Sequence, residues 1–222
     1  MRLNTLHAWD VSPQTAIHLQ TELASQLSQT SPLALDAIHT VAGVDVGVKD
    51  NVSTAAVVIL TYPDLQVVER VTAQRPTTFP YIPGLLTFRE GEVLVEAFTQ
   101  LKHEADVFLF DGMGRIHPRR IGIAAHMGLW LQKPTVGVGK THFIGEYADP
   151  APERGHTQPI THKGEIIGAV VRSKTNVKPI YVSVGHLFSL EQSIELVLNC
   201  TTKYRLPEPI RHAHQTAGGI YG

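Results

Sequence analysis

Three acidic residues stand at points where the chain could bring their carboxylates together. Asp45 lies within an apolar run, Glu90 lies early in a stretch with helical spacing, and Asp111 ends a second apolar run. Magnesium prefers oxygen ligands and usually takes one or two protein carboxylates together with substrate phosphates. A cluster of these three residues is therefore typical of a metal site that hydrolyses phosphodiesters.

Each acid also has a purely structural interpretation. Taken alone, Glu90 fits better in a helix capping box that begins at Thr87. Asp111 is followed by glycine, and an Asp-Gly pair is commonest in turns. For Asp45 the functional interpretation is favoured, because burying an ionisable group in an apolar strand costs free energy unless the group is paired or metal-bound.

The segment from Asp111 to Gly128 has a composition that suits phosphate binding. It contains glycines around a predicted helix start, where free backbone N–H groups attract anions. Arginine forks also bind phosphates, although two adjacent arginines are most often a solvated surface. The segment's candidate residues are Gly112, His117, Arg119, Arg120 and His126.

Two further features could contact a nucleic acid. The loop formed by Pro80, Tyr81, Ile82, Pro83 and Gly84 is stiffened by its two prolines and carries apolar side chains. Such a loop suits a rigid wedge between bases, and a loop packed against the protein is the alternative. A lysine at position 140 follows an apolar run and could approach a phosphate, although a lone lysine is usually only solvated.

The elements that must position these residues can be read from periodicity. Residues Val41, Gly43, Asp45 and Gly47 share one face of a predicted strand over residues 39–48. Two more strands, over residues 53–60 and 65–74, follow through the turn Tyr62-Pro63-Asp64. The first three strands are therefore predicted to form an antiparallel meander.

The pattern then alternates between helices and strands. A predicted strand over residues 107–110, a helix over 121–131 and a strand over 135–138 form a strand-helix-strand unit, which should be parallel. The remaining predictions are an opening helix capped by Ser12, a helix from Leu85 to Leu101, a hairpin over residues 160–173 that turns at Lys163-Gly164, a strand over 180–184 and a closing helix over 190–198. The predicted fold class is α/β, with a mixed sheet flanked by helices.

The composition limits the class of protein but does not indicate an activity. The 222 residues carry no linker-like stretch, so we expect a single domain over residues 1–222. Because the net charge is only -1, any basic surface that binds nucleic acid must be local. The lone cysteine, Cys200, excludes intrachain disulfides and cysteine-built zinc sites. No leader or membrane-spanning segment is predicted, so the expected location is the cytoplasm.

Taken together, five motifs resemble the endonuclease V family. They are GVDV from Gly43, PYIPG from Pro80, LTFRE from Leu86, DGMGRIHPRRIGIAAHMG from Asp111 and LPEPIRHAH from Leu206, in the family's order. The PYIPG motif and the motif at Asp111 are the most specific of the five. The resemblance runs from the first predicted strand to His214. It implies a ribonuclease H-like fold with a central mixed sheet.

The resemblance also implies roles for individual residues. Asp45 and Asp111 resemble the family's ligands for Mg²⁺, for which Mn²⁺ could substitute, and Glu90 and His214 complete the polar cluster. Lys140 would contact the substrate near the cut. Tyr81 resembles the family's wedge, and Gly84, Gly112 and His117 would lie near a pocket for the damaged base. The implied substrate is DNA with a deaminated base, cut at the second phosphodiester bond on the 3′ side.

Four positions depart from the family's usual pattern without loss of a proposed ligand. Gly47-Val48 replaces a common Ser-Tyr, Gly139 a common Ala and Val184 a common Pro. Two alternatives keep the fold: an endoribonuclease specific for inosine in RNA, and a nucleic-acid-binding protein without catalysis. An actin-like sugar kinase would need two such domains, and this chain is too short for two. No protein partner and no membrane are implied.

Overall fold

Among the residues that the structure describes, one eight-stranded sheet of mixed direction has helices on both faces, and the predicted mixed sheet flanked by helices is confirmed. The computed structural model describes residue 1 and residues 3–219. The strands are β1 Thr40–Lys49, β2 Val52–Thr61, β3 Val67–Pro76, β4 Val107–Asp111, β5 Thr135–Gly139, β6 Thr157–His162, β7 Glu165–Val171 and β8 Ile180–His186. Their order across the sheet is β3-β2-β1-β4-β5-β8-β7-β6.

The helices are α1 Pro13–Ala24, α2 Leu86–Thr99, α3 Ile123–Leu131, α4 Leu190–Asn199 and α5 Glu208–Ala217, with a short 3₁₀ helix at Leu35–Ala37. The predicted cap of α1 is confirmed, because the Ser12 hydroxyl accepts a hydrogen bond from the Thr15 backbone N–H at 3.1 Å. None of the helices described is long and apolar enough to cross a membrane.

The predicted antiparallel meander is confirmed. Strands β1 and β2 pair antiparallel with Asp45 opposite Ala56, and β2 pairs antiparallel with β3. The two residues that join β1 to β2, Asp50 and Asn51, have φ values of 50° and 58°. Two positive φ values are what a tight two-residue hairpin requires, and Asp and Asn tolerate them better than other non-glycine residues.

The parallel centre of the sheet brings the two predicted metal ligands side by side. Strand β1 pairs in parallel with β4, with Val44 opposite Phe110, so Asp45 and Asp111 come next on each strand. Strand β5 extends the parallel part on the other side of β4. Beyond it, β8, β7 and β6 are added antiparallel, and the predicted turn at Lys163-Gly164 joins β6 to β7.

Helices α2 and α3 cover one face of the sheet, and α4 and α5 cover the other. The first face buries Phe98, Phe108 and Met127. The second face buries Leu109 and Leu196 among others. Because side chains alternate along a strand, Val41, Asp45 and Asp111 belong to the second face, beneath α5.

Two expectations about helices are wrong. Helix α2 begins at Leu86 with Leu85 as its uncapped N-cap residue, so Thr87 and Glu90 form no capping box, and the Thr87 hydroxyl is buried without a partner among the described residues. The helix over residues 190–199 does not close the fold, because α5 follows it. Helix α5 was missed because prolines open it and its exposed face is almost entirely polar.

Candidate active site

The carboxylates of Asp45 and Asp111 lie on neighbouring parallel strands at the same end of the sheet. One oxygen of Asp45, Oδ1, accepts a hydrogen bond from the Val46 backbone N–H at 2.9 Å. That bond fixes the Asp45 side chain and leaves its second oxygen directed to other partners. The strand register therefore supplies two adjacent carboxylates with little freedom to move apart.

Helix α5 brings a histidine to the same place. The Nδ1 atom of His214 lies 2.7 Å from Oδ2 of Asp45. The helix can approach β1 this closely because Gly43 has no side chain: a Cβ there would lie 1.8 Å from the carbonyl oxygen of Pro209. A glycine on the strand thus sets the position of an imidazole on the helix.

These three residues form a group that could hold a divalent cation. Asp45, Asp111 and His214 each offer one ligand atom, and all of these atoms lie within 4.8 Å of one another. Two carboxylate oxygens and one imidazole nitrogen suit an ion that accepts mixed oxygen and nitrogen ligands, such as Mn²⁺, and the carboxylates suit Mg²⁺. The donor set therefore fits the metal that the sequence predicts.

Glu90 approaches the group from the first turns of α2. Burial, together with the carboxylates of Asp45 and Asp111, raises the pKa of Glu90 to about 8 against the opposing effect of the nearby Arg89. Burial and the Asp45 carboxylate also raise the pKa of Asp111, against the opposing effect of Lys140. Several carboxyls that share a partly buried space favour a bound proton or a bound cation.

Lys140 supplies the positive charge within the site. It directly follows β5, the strand next to β4, and its ammonium group forms an ion pair with Oδ2 of Asp111. Both side chains are partly buried, so water screens their attraction less than at an exposed surface. The lysine therefore stands where it could meet a phosphate that approaches Asp111.

A cavity of about 300 Å³ opens beside Asp111 and Lys140. The predicted wedge loop forms one wall, and the side chain of Tyr81 is 71% exposed at its rim. Gly112 and His117 line the cavity as predicted. Four further lining residues lie outside every motif and candidate feature named from the sequence: Gln20, Thr141, His142 and Phe143. The last three directly follow Lys140 in the sequence, and this adjacency was the one signal that could have indicated them.

The wedge loop is held in place through one carbonyl group. The Gly84 oxygen accepts hydrogen bonds from Gln20 Nε2 at 3.0 Å, His117 Nε2 at 2.9 Å and Arg119 Nη2 at 2.9 Å. Burial lowers the pKa of His117 to about 4, so this imidazole is neutral near pH 7. Its Nε2 donates to Gly84 while its Nδ1 accepts from the Arg119 backbone N–H.

The two adjacent arginines are engaged within the protein. Arg119 Nε donates to Gln20 Oε1 at 2.7 Å, and Arg120 Nε donates to Glu165 Oε2 at 2.8 Å. Neither arginine lines the cavity. Arg119 therefore braces the wedge loop, and Arg120 ties the same segment to the β6–β7 hairpin. His126, the other histidine of this segment, is fully buried, and its Nε2 lies 2.8 Å from Nε2 of His7.

Similarity to known proteins identifies the family to which the chain belongs. A family model described as endonuclease V matches residues 21–215. The chain belongs to the endonuclease V family. The resemblance inferred from the five sequence motifs is thereby confirmed, and the match also takes in the end of α1.

Individual family members are similar over nearly the whole chain. An endonuclease V of Trichormus variabilis is 47% identical over 98% of this chain and 99% of its own length. The crystal structure of an endonuclease V from Bacillus subtilis has a TM-score of 0.93 and 29% identity, over 99% of this chain and 96% of that one.

A third family member was solved with a nucleic acid. It is Ciona intestinalis endonuclease V in complex with a 24mer DNA containing an inosine followed by a ribo-adenosine. Its TM-score is 0.83 at 30% identity, over 94% of this chain and 98% of that one.

Proposed function

We propose that this chain is a metal-dependent endonuclease that cuts DNA near a deaminated base. The predicted cut is the second phosphodiester bond 3′ to deoxyinosine, leaving 3′-hydroxyl and 5′-phosphate ends. The proposal rests mainly on the fact that the carboxylate site and the cavity adjoin. Asp111 and Lys140 belong to the carboxylate site and also line the wall of the cavity. The eight strands form one sheet, which supports a single domain over residues 1–222.

The cavity is suited to a base that is turned out of the DNA duplex. Its volume of about 300 Å³ is at the lower end of the range for small-molecule sites, as a single nucleobase requires. Turning out a base is cheapest where the base is mispaired, and deamination weakens pairing. The Ciona enzyme, whose DNA contains an inosine, shares this fold.

Asp45, Asp111 and His214 would hold Mg²⁺ or Mn²⁺, which would activate water and stabilise charge on the leaving oxygen. The chain's own groups would assist around it. Glu90 holds a proton at neutral pH in the metal-free site, where its pKa is about 8, and a bound cation would displace that proton and leave a carboxylate able to act as a general base for water. Lys140 can shift its ion pair from Asp111 to a phosphate oxygen of the substrate.

Tyr81 would act as the wedge that keeps the strands apart. Its ring is largely exposed although it is apolar, while the loop behind it is braced at Gly84 by three donors. Proline residues on both sides of the Tyr81-Ile82 pair limit the loop's backbone freedom. An exposed aromatic ring on a rigid loop can insert between bases without reorganising the protein.

RNA is the second candidate substrate. The DNA in the Ciona complex carries a ribo-adenosine directly after its inosine, so a ribonucleotide is accommodated beside the lesion in that protein. The proposal for RNA is an inosine-specific cut by the same groups. A protein that binds without cutting is the remaining outcome of the experiment below.

The test is nicking of end-labelled duplexes with and without one deoxyinosine, and of an RNA counterpart, in Mg²⁺ or chelator. Asp45→Ala should abolish cutting, and Asp64→Ala, which removes an exposed carboxylate in the β2–β3 turn, should not. A metal-dependent nick at the second 3′ bond supports the proposal, and the ratio of DNA to RNA cutting identifies the substrate. Tight binding of inosine strands without any cut would refute the enzyme assignment.

A further inference from the structure

A second groove adjoins the carboxylate site and shares no lining residue with the cavity. It has a volume of about 450 Å³ and reaches the site at His214. Four cationic side chains line it: Lys174, Lys203, Arg205 and Arg211. No acidic residue is among its described lining residues, although the whole chain carries a net charge of -1. We refer to it as the basic groove.

The cationic groups of the basic groove are fixed by contacts with the protein. Arg205 donates to the Pro179 carbonyl oxygen at 3.2 Å, and the Lys174 ammonium contacts the Lys203 carbonyl oxygen. Backbone carbonyls hold these two cations without neutralising them. Within residues 3–219, only Arg211 of the four has a carboxylate partner, Glu208, at 2.6 Å. The groove therefore keeps an excess of positive charge in a defined arrangement.

An aromatic ring stands among these charges. Tyr204 is 46% exposed, and the guanidinium carbon of Arg211 lies 3.6 Å from its ring centre. The ammonium of Lys203 lies 5.5 Å from the same centre. Cations that follow a groove together with an exposed aromatic ring are the usual means of holding single-stranded nucleic acid, through phosphates and stacked bases.

We propose that the basic groove binds the strand on the 3′ side of the cut. This inference rests on the proposed function. If the damaged base occupies the cavity at Asp111 and Lys140, the strand passes the carboxylate site two linkages further on. It then leaves past His214, which lines both that site and the basic groove. The phosphates next to the cut on the 3′ side would meet Lys203 and Lys174.

The test measures how strongly each flank of the substrate contributes to binding. Metal-free protein, which cannot cut, is titrated with inosine-containing single strands that have a short or a long flank on either side. Wild type should gain affinity from a longer 3′ flank. The double variant K174A/K203A should lose that gain and keep the gain from a longer 5′ flank. The slope of log affinity against log salt should fall by about 0.7 for each lysine that no longer neutralises a phosphate.

Lys102→Ala is the matched control, because Lys102 is exposed and lies in the connection between α2 and β4, which enters β4 at the end opposite from Asp111. It should leave the salt slope unchanged. Equal loss of affinity for both flanks, or an unchanged slope in K174A/K203A, would overturn the proposal. The same titration with inosine-free strands measures binding by the groove even if wild type fails to nick inosine, so the two proposals can fail separately.

Discussion

Replacing Gly43 with alanine should move His214 away from Asp45 and thereby suppress activity. A Cβ at position 43 would lie 1.8 Å from the Pro209 carbonyl oxygen, whereas real Cβ contacts below 3.0 Å are essentially never seen. Helix α5 must therefore retreat by more than about 1 Å, a displacement that elsewhere costs about a hundredfold in rate. The 2.7 Å contact between His214 and Asp45 would not survive such a shift unchanged.

The stability cost should be moderate, because overpacking typically costs about 1–3 kcal/mol. The assay combines single-turnover nicking of a deoxyinosine duplex with thermal unfolding and a Mg²⁺ titration. We expect G43A to fold, to cut about a hundredfold more slowly and to need more Mg²⁺.

Gly47→Ala provides a control on the same strand beneath the same helix. A Cβ at position 47 meets nothing closer than 3.8 Å, at the Ala217 carbonyl oxygen. This variant should keep its cutting rate within a few fold. If G43A cuts as fast as wild type at the same Mg²⁺ concentration, the placement of His214 by helix packing has no catalytic importance and the reasoning is refuted.

Three further predictions follow from individual side chains. Because the pKa of Glu90 is raised to about 8, this residue stabilises the metal-free fold below its ordinary pKa, and that contribution is lost as pH rises towards 8. In chelator, the melting temperature of the wild type should fall as pH rises through this range, and that of E90Q should fall less. Added Mg²⁺ should raise the wild-type melting temperature more at pH 8 than at pH 6. Equal pH profiles for the two proteins would contradict this prediction. Tyr81→Ala should change the free energy of unfolding by less than about 0.5 kcal/mol, since the ring is exposed. It should slow cutting of a deoxyinosine duplex more than cutting of a single strand, and an unchanged ratio would argue against a wedge. Arg119→Lys cannot reproduce the paired bonds to Gln20 and Gly84. It should cost about 1–3 kcal/mol in chemical denaturation and raise KM, whereas wild-type KM would show that the brace is dispensable.

The sequence alone predicted the parts of the fold that repeat a simple period. The alternation from Val41 to Gly47 correctly placed Asp45 on one face, and the apolar run before Asp111 correctly placed that residue at a strand end. Helix α5 escaped prediction because only Ile210, Ala213 and a few small or polar residues face the core. Its position depends on a contact with Gly43, which lies far away in the chain.

The types of residue in the site could be predicted more fully than their arrangement in space. The carboxylates and the loop over residues 80–84 could be singled out from residue types and motifs, and the chain belongs to the family whose motifs they resemble. The bracing role of Arg119 could not, because its partners Gln20 and Gly84 are distant in sequence. The capping box at Thr87 failed for a local reason: the chain enters helical geometry two residues earlier than the box requires, with Leu85 rather than Thr87 as the N-cap residue.

The two outer strands of the sheet bear on how the protein avoids self-association. A free strand edge offers unpaired N–H and C=O groups to any other strand it meets. On β6, Pro159 lacks one such donor, and a bridge between Glu146 and Thr161 occupies part of the edge. On β3, the polar residues Arg70, Thr72 and Gln74 project into solvent along the other edge. Both edges of the sheet are therefore poor templates for a strand of a second copy, which disfavours self-association through the sheet.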